Sequence, residues 1–274
     1  MDLKKLYPKR RPWSHKGQHG SVLIVAGSNH FSGTPVFNAL AALRSGADLA
    51  RIVGPKRAMD IAANGHPDLI TYPLAGELSV KNMRLIFELA KISTAVIIGG
   101  GLHRSQTTHA AIRKIISSLS LPMVVDAEAI HAIAETPKII ANKAIIVTPH
   151  AQEFQILTGL SVADNLKDRQ RKTLMAAKKL QTTILLKGKI DIIADSHSCT
   201  LNRTGSVYMT KGGFGDCLAG VAGALLARGH APRVAADAAA YITGKAGELA
   251  AKKFGEGILA SDLFEYLPSV IKQN

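Results

Sequence analysis

Residues 21–27 read SVLIVAG, and the polar turn SNHFSG follows at 28–33. An unbroken apolar run rich in Val and Ile, closed by glycine, predicts a strand buried on both faces. The same design returns in LARIVGP (49–55), AVIIGGG (95–101), MVVDA (123–127), AIIVTPH (144–150) and TILLKG (183–188). Segments 79–91, 105–119 and 164–180 between these runs carry helix-type periodicity. Strand, helix, strand repeated along a chain predicts right-handed crossovers and a mostly parallel sheet, covered by helices on both faces. After Lys187 the pattern changes. Residues 189–205, KIDIIADSHSCTLNRTG, predict a short antiparallel pair or an edge strand with turns. GGFGDCLAGVAGALLARG (212–229) then opens a small-residue helix, and 232–254 continue as an Ala-rich one. No long linker or repeat interrupts the chain, so a single α/β domain over residues 1–274 is expected.

Composition supports a large core and restricts its chemistry. Hydrophobic residues make up 47% of the chain but aromatics only 5%, so Ala, Ile, Leu and Val must fill the interior. Lys and Arg total 34 against 20 acidic residues, a net charge of +14. Such a balance fits a solvated basic surface or an anionic ligand, and it says nothing of fold. The densest basic cluster (Lys4, Lys5, Lys9, Arg10, Arg11, Lys16) surrounds Tyr7 and Trp13, yet no nucleic-acid module accompanies it. No nucleic-acid partner is therefore expected. Cys199 and Cys217 have neither metal-site nor disulfide-framework spacing. The longest stretch free of Asp, Glu, Lys and Arg, 17–43, is centred on the polar GSNHFSGTP, which cannot span a bilayer as one helix. No signal-peptide pattern opens the chain. A soluble cytoplasmic protein is expected.

Ligands of open parallel sheets bind beyond the carboxyl ends of the strands. At those ends stand Ser28, Asn29 and Ser32; Gly99, Gly100 and Gly101; Asp126 and Glu128; His150 and Glu153; and Lys187. Five consecutive polar strand ends read as the rim of one site. The segment Lys211-Gly212-Gly213-Phe214-Gly215-Asp216, leading into an apolar helix, is the strongest single signal. Glycines ahead of a helix let backbone N–H groups converge on phosphate at the positive end of the helix dipole. Asp216 reads there either as a helix-capping carboxylate or as the base that takes a proton from an attacking hydroxyl. The segment is neither a Walker A loop nor a Rossmann dinucleotide fingerprint.

Taken in order, HKGQHGSVLIVAGSNHFSGTPVFNALAALRSGADL (15–49), VVDAEAI (124–130), TPHAQEF (148–154), LLKG (185–188), NRTGS (202–206) and GGFGDCLAG (212–220) resemble one family. The chain is similar over nearly its whole length to the ADP- or ATP-dependent NAD(P)H-hydrate dehydratases, a branch of the ribokinase-like superfamily. The resemblance implies a three-layer ribokinase-like fold with a mainly parallel central sheet. It implies a lyase that phosphorylates the ring hydroxyl of hydrated NADH or NADPH and eliminates phosphate. Gly33 and Thr34 would form the dinucleotide-binding turn; Gly101 and His150 would line the hydrate pocket, with Glu153 bracing the His150 turn. Lys187, Gly188, Lys189, Ile190 and Asp191 would border the adenine nucleotide. Gly212, Gly213 and Gly215 would face its phosphates, and Asp216 would be the base. ADP or ATP as co-substrate, Mg2+ on the phosphates and a homotetramer are implied with them, and the prokaryotic branch favours ADP.

Three positions depart from the family pattern. Phe214 stands where Thr is usual, Gly99-Gly100-Gly101-Leu102-His103 replaces the family's GPGLG turn, and Tyr208 replaces a small residue. All three are expected at or near the pocket, with the Phe214 ring turned away from the phosphates. His30 and His103 sit in suspected pocket loops. The remaining histidines His15, His19, His66, His109, His131, His197 and His230 lack metal-site spacing and are expected mostly at the surface. Two alternatives use the same residues: a kinase for a small hydroxylated metabolite, and a nucleotide-binding protein without catalysis.

Overall fold

The computed structural model describes residues 1–272; the last two residues of the expected domain lie outside the described residues. The strands, in chain order, are β1 (Ser21–Val25), β2 (Leu49–Pro55), β3 (Ile70–Leu74), β4 (Ala95–Ile98), β5 (Met123–Val125), β6 (Ile145–Val147), β7 (Thr183–Leu186), β8 (Asp191–Ala194) and β9 (Cys199–Asn202). All six quoted runs are strands of one sheet. Five of them end earlier than expected, because the closing Ala-Gly, Gly-Gly-Gly, Asp-Ala, Thr-Pro-His and Lys-Gly leave the ladder to form loops. β3 was not foreseen. It is an edge strand, only one of its residues is buried, and it contains Pro73, a residue that sheets tolerate at their edges.

The sheet order is β3-β2-β1-β4-β5-β6-β7-β8-β9. β1 to β7 pair in parallel, and β8 and β9 add the expected antiparallel pair. The chain runs outward from β1 to β3, then returns to place β4 on the other side of β1. That reversal is a topological switch point, where the loops leaving two neighbouring strands diverge and open a crevice.

The helices are α1 (Gly33–Arg44), α2 (Lys56–Gly65), α3 (Met83–Lys91), α4 (Gln106–Ser118), α5 (Glu128–Ala134), α6 (Ala151–Thr158), α7 (Leu166–Leu180), α8 (Phe214–Ala227), α9 (Pro232–Phe254) and α10 (Leu263–Lys272). Strand side chains alternate between two cores. Val22 and Ile24 of β1 join α1, α2, α8, α9 and α10 on one face. Leu23 and Val25 join α3 to α7 on the other. Both faces are covered, which is why β1 reads as continuously apolar rather than alternating.

α1 and α8 cross unusually closely. A Cβ added to Gly220 would run into the Asn38 carbonyl oxygen and lie 2.8 Å from the Ala41 Cβ, so only glycine fits there. Among the described residues no helix is long and apolar enough to cross a membrane.

Candidate active site

The loops leaving β1 and β4 and the helices beyond β5 and β6 surround a cavity of about 430 Å³. It lies at the switch point. Thr34, Gly101, His150 and Asp216, drawn from four separate parts of the chain, all line it. Arg104, Glu128, His131 and Gln152 line it as well, with Arg104 and Gln152 exposed and Glu128 buried.

Asp216 lies in the first turn of α8. Gly213, at φ +100°, caps that helix in a backbone conformation L side chains rarely adopt. The first intrahelical bond runs from Cys217 N–H to Gly213 O at 2.9 Å. The N–H groups of Phe214, Gly215 and Asp216 precede it and have no helix carbonyl to reach, the usual state of a helix start. The Thr34 hydroxyl donates to Asp216 Oδ2 at 3.2 Å, and Asn38 Nδ2 donates to the Asp216 carbonyl at 2.8 Å. Burial, followed by the charge of Asp126, pushes the Asp216 carboxyl up to about 7, although Thr34 and Lys187 pull the other way. At neutral pH this carboxyl therefore both holds and releases a proton, the condition an effective general base requires.

Behind Asp216 lies a buried charge group. Lys187 Nζ, at the end of β7, is 3.0 Å from Asp126 Oδ1 and 3.8 Å from Glu153 Oε2. Burial alone would lower the lysine's pKa, but Asp126, Glu153 and Asp216 outweigh it and hold the pKa above its ordinary value. Thr148 Oγ1 donates to Asp126 Oδ1 at 2.7 Å. A Cβ on Gly215 would lie 3.6 Å from Lys187 Nζ, so this ammonium borders the glycine-rich loop as well as the carboxylates.

His150 is both cavity wall and helix cap. Its Nδ1 accepts from the Gln152 and Glu153 amides at 3.2 and 3.3 Å, while Glu153 Oε2 accepts from His150 N at 2.9 Å. The reciprocal pair is a capping box, and it leaves Nε2 as the imidazole's proton-bearing nitrogen.

Residues 187–191 join β7 to β8, and none of them is among the residues lining the cavity. Asp191 closes it, accepting from Gly188 N at 3.0 Å and from Asn202 Nδ2 at 3.0 Å. Burial raises the Asp191 pKa. Arg169 of α7 donates to Lys187 O at 3.2 Å beneath the turn. Lys189 and Gly212 are exposed and Ile190 is half-buried. Of the predicted residues, Thr34, Gly101, His150 and Asp216 line the cavity, and Gly215 adjoins Lys187.

The departures from the expected pattern resolve differently. Phe214 is buried in the core shared by α1, α8, α9 and α10, turned away from the N–H groups as expected. Tyr208 packs half-buried against the same core. His30 and His103 are exposed, and their neighbours Phe31, Leu102 and Arg104 line the cavity instead. The expectation of surface histidines fails at His109, which is buried with its Nε2 2.6 Å from Glu128, and at His131, which lines the cavity. Asn38 was missed. Its only sequence signal is a polar residue within the apolar run VFNALAAL, and it fixes the Asp216 backbone. Arg104 was missed because a lone arginine after a glycine turn reads as surface.

Among the described residues no group of three or more His, Cys, Asp or Glu could hold a metal ion. Asp126 and Glu153 are engaged by Lys187. The residues present do not build a protein-held Mg2+ site.

A family model for NAD(P)H-hydrate dehydratase matches residues 22–269. An ADP-dependent (S)-NAD(P)H-hydrate dehydratase of Cenarchaeum symbiosum is 37% identical, covering 99% of this chain and 95% of the relative. A bifunctional NAD(P)H-hydrate repair enzyme of Pyrobaculum aerophilum is 42% identical over 96% of this chain, and the chain spans only 53% of that relative's length. Among solved structures, the Bacillus subtilis ADP/ATP-dependent NAD(P)H-hydrate dehydratase, co-crystallised with ATP and Mg2+, superposes with a TM-score of 0.80 at 27% identity, covering 99% of this chain and 95% of that one. A ribokinase-like superfamily protein from Enterococcus faecalis, with a TM-score of 0.84 at 23% identity over 99% of this chain and 93% of its own, shares the fold. The sheet order, the glycine loop before α8 and these matches agree: this chain belongs to the NAD(P)H-hydrate dehydratase family, on a ribokinase-like fold.

Proposed function

We propose that residues 1–274 act as one domain that dehydrates the hydrate of NADH or NADPH at the expense of ADP or ATP. The observation that carries this reading is Asp216: a carboxyl with pKa about 7, in the first turn of α8, facing the cavity and bordered by Lys187. Water added to a dihydronicotinamide ring leaves a hydroxyl on the carbon beside the ring nitrogen. Hydroxide is a poor leaving group and phosphate a good one. Asp216 accepts the hydroxyl proton as that oxygen bonds the terminal phosphorus of the nucleotide, and the bond to the nucleotide's bridging oxygen breaks. The N–H groups of Phe214, Gly215 and Asp216 and the Lys187 ammonium face the charge on the transferred group, where preorganised donors contribute most. Any Mg2+ enters on the nucleotide's own oxygens, where it would neutralise phosphate charge. The ring-nitrogen electron pair then expels phosphate, and loss of a proton from the next carbon restores the double bond.

Thr34, Gly101 and His150 line the hydrate side. Lys187, Gly188, Lys189, Ile190 and Asp191, with Gly212, Gly213 and Gly215, form the nucleotide side. Support for this division is that the first three line the cavity with Asp216, while Gly215 adjoins Lys187. A homotetramer rests on the family resemblance, and a cytoplasmic location on the sequence pattern; light scattering on the purified chain tests the assembly. The deciding assay follows recovery of dihydronicotinamide absorbance from NADH hydrate with ADP or ATP. Accumulation of a phosphorylated product without absorbance recovery points to a kinase, and nucleotide binding without turnover to a non-catalytic relative.

A further inference from the structure

Arg104 stands in the loop between β4 and α4, among the residues lining the cavity that holds Asp216. Its Nε lies 3.0 and 2.9 Å from the two Glu128 oxygens, and its Nη2 lies 2.9 Å from Oε2. Glu128 sits in the first turn of α5 with its side chain only 9% exposed. His109 Nε2 of α4 binds the same carboxylate at 2.6 Å. Burial opposes ionisation of Glu128, but the Arg104 and His109 hydrogen bonds outweigh it and hold the carboxyl below its ordinary pKa. A buried, ionised carboxylate therefore fixes the guanidinium through one edge. Among the described residues nothing bonds Nη1, and the Arg104 side chain remains 65% exposed at the cavity wall.

A surface tether needs none of this, since exposed ion pairs contribute about 0–1 kcal/mol. An arginine oriented from behind, with its remaining N–H edge open, matches the fork geometry with which guanidinium meets phosphate. Backbone geometry adds a second observation. Ala127, between Asp126 and Glu128, has φ 48° and ψ −119°, a conformation alanine rarely adopts. Across this turn the two acids take different partners, Asp126 pairing with Lys187 and Glu128 with Arg104. Size adds a third. A cavity of about 430 Å³ suits one drug-sized ligand. A whole dinucleotide exceeds that, so with its reacting ring at Asp216 the rest of it extends past the lining residues, and Arg104 is an exposed cation among them.

Resting on the dinucleotide-hydrate reading above, we propose that Arg104, oriented by Glu128 and His109, binds a phosphate group of the dinucleotide substrate. Arg104→Met removes the charge and keeps the stem. Losing a charge-assisted hydrogen-bond pair should raise KM for the hydrate roughly 10–100-fold, with kcat within a few-fold and ADP affinity unchanged. An equal rise for NADH and NADPH hydrates identifies the bridging diphosphate; a rise for the NADPH form alone identifies its ribose phosphate. The hydrate of nicotinamide riboside, which carries no phosphate, should show no rise. Wild type offers a check that needs no variant: KM for the dinucleotide hydrates should climb with ionic strength, and KM for the riboside hydrate should not. The assignment is overturned if Arg104→Met leaves KM unchanged for both dinucleotide hydrates, if it weakens the riboside equally, or if the salt responses match. Absence of wild-type turnover would sink both readings; wild-type turnover with an unchanged KM in the variant sinks this one alone.

Discussion

Replacing Asp216 by Asn should produce two effects of opposite sign. Asn keeps the shape, and its Oδ1 still accepts from the Thr34 hydroxyl, while Asn38 holds only the backbone carbonyl. What is lost is the proton acceptor, so turnover should fall by about 10²–10⁴. Stability should move the other way above neutral pH. The folded-state carboxyl is raised from 3.8 to about 7, with burial the first cause and Asp126 the second. Below pH about 4 it is protonated in both folded and unfolded chains and contributes nothing. Between about 4 and 7 the unfolded chain releases its proton while the folded chain keeps it, so stability falls as pH rises. Above 7 the whole penalty is present, roughly 4 kcal/mol at 1.36 kcal/mol per pH unit. Asn escapes that penalty but forfeits about 0.3–1 kcal/mol of carboxylate–dipole attraction at the start of α8. A net gain of about 3 kcal/mol should raise the melting temperature by roughly 5–10 °C at pH 8 and by almost nothing at pH 4. Paired calorimetric scans at those pH values, with hydrate turnover on the same samples, make the measurement. A melting difference that does not change with pH, or a variant that still turns over, refutes the assignment of Asp216 as a buried, proton-sharing base. In wild type, kcat/KM should rise about tenfold per pH unit below 7 and level off above it.

Lys187→Met strands Asp126 and Glu153 without their cation, which should cost about 3–5 kcal/mol of stability in denaturant unfolding. It also removes a charge that lowers the Asp216 pKa, so the acid limb of the rate profile should shift to higher pH; an unmoved limb separates the two groups. Phe214→Thr opens a core cavity rather than a nucleotide entrance and should destabilise by about 3 kcal/mol. A stable Phe214→Thr variant with faster turnover would place the ring in the site after all.

The layers were readable because the inner strands of the sheet are covered on both faces and so keep unbroken apolar runs. β3 escaped notice for the converse reason: an edge strand of half-exposed residues has no burial to impose a pattern. The polar residues at the strand ends were found as a class because parallel strands all send their carboxyl ends to the same edge of the sheet. Which of them touch was not readable. Lys187 meets Asp126 through a separation of 61 residues in sequence, and only the sheet order makes their strands near neighbours. Arg104 and His109 gain their meaning from Glu128, itself aimed by a strained Ala127 that no propensity anticipates. Phe214 stood out because the family carries Thr at that position. Its burial follows from its place on the inward side of α8, which the Leu218, Val221 and Leu225 stripe also occupies.

The missing side chain at Gly220 has a mechanical consequence. With backbone against side chain at that crossing, α1 and α8 cannot slide past one another. Thr34 and Asn38 on one helix and Asp216 on the other therefore move as a single part. The base and the two residues that hold it share one tightly packed seam. A methyl group placed at Gly220, more than one helical turn from the base, would meet the Asn38 carbonyl and Ala41 and should loosen that seam.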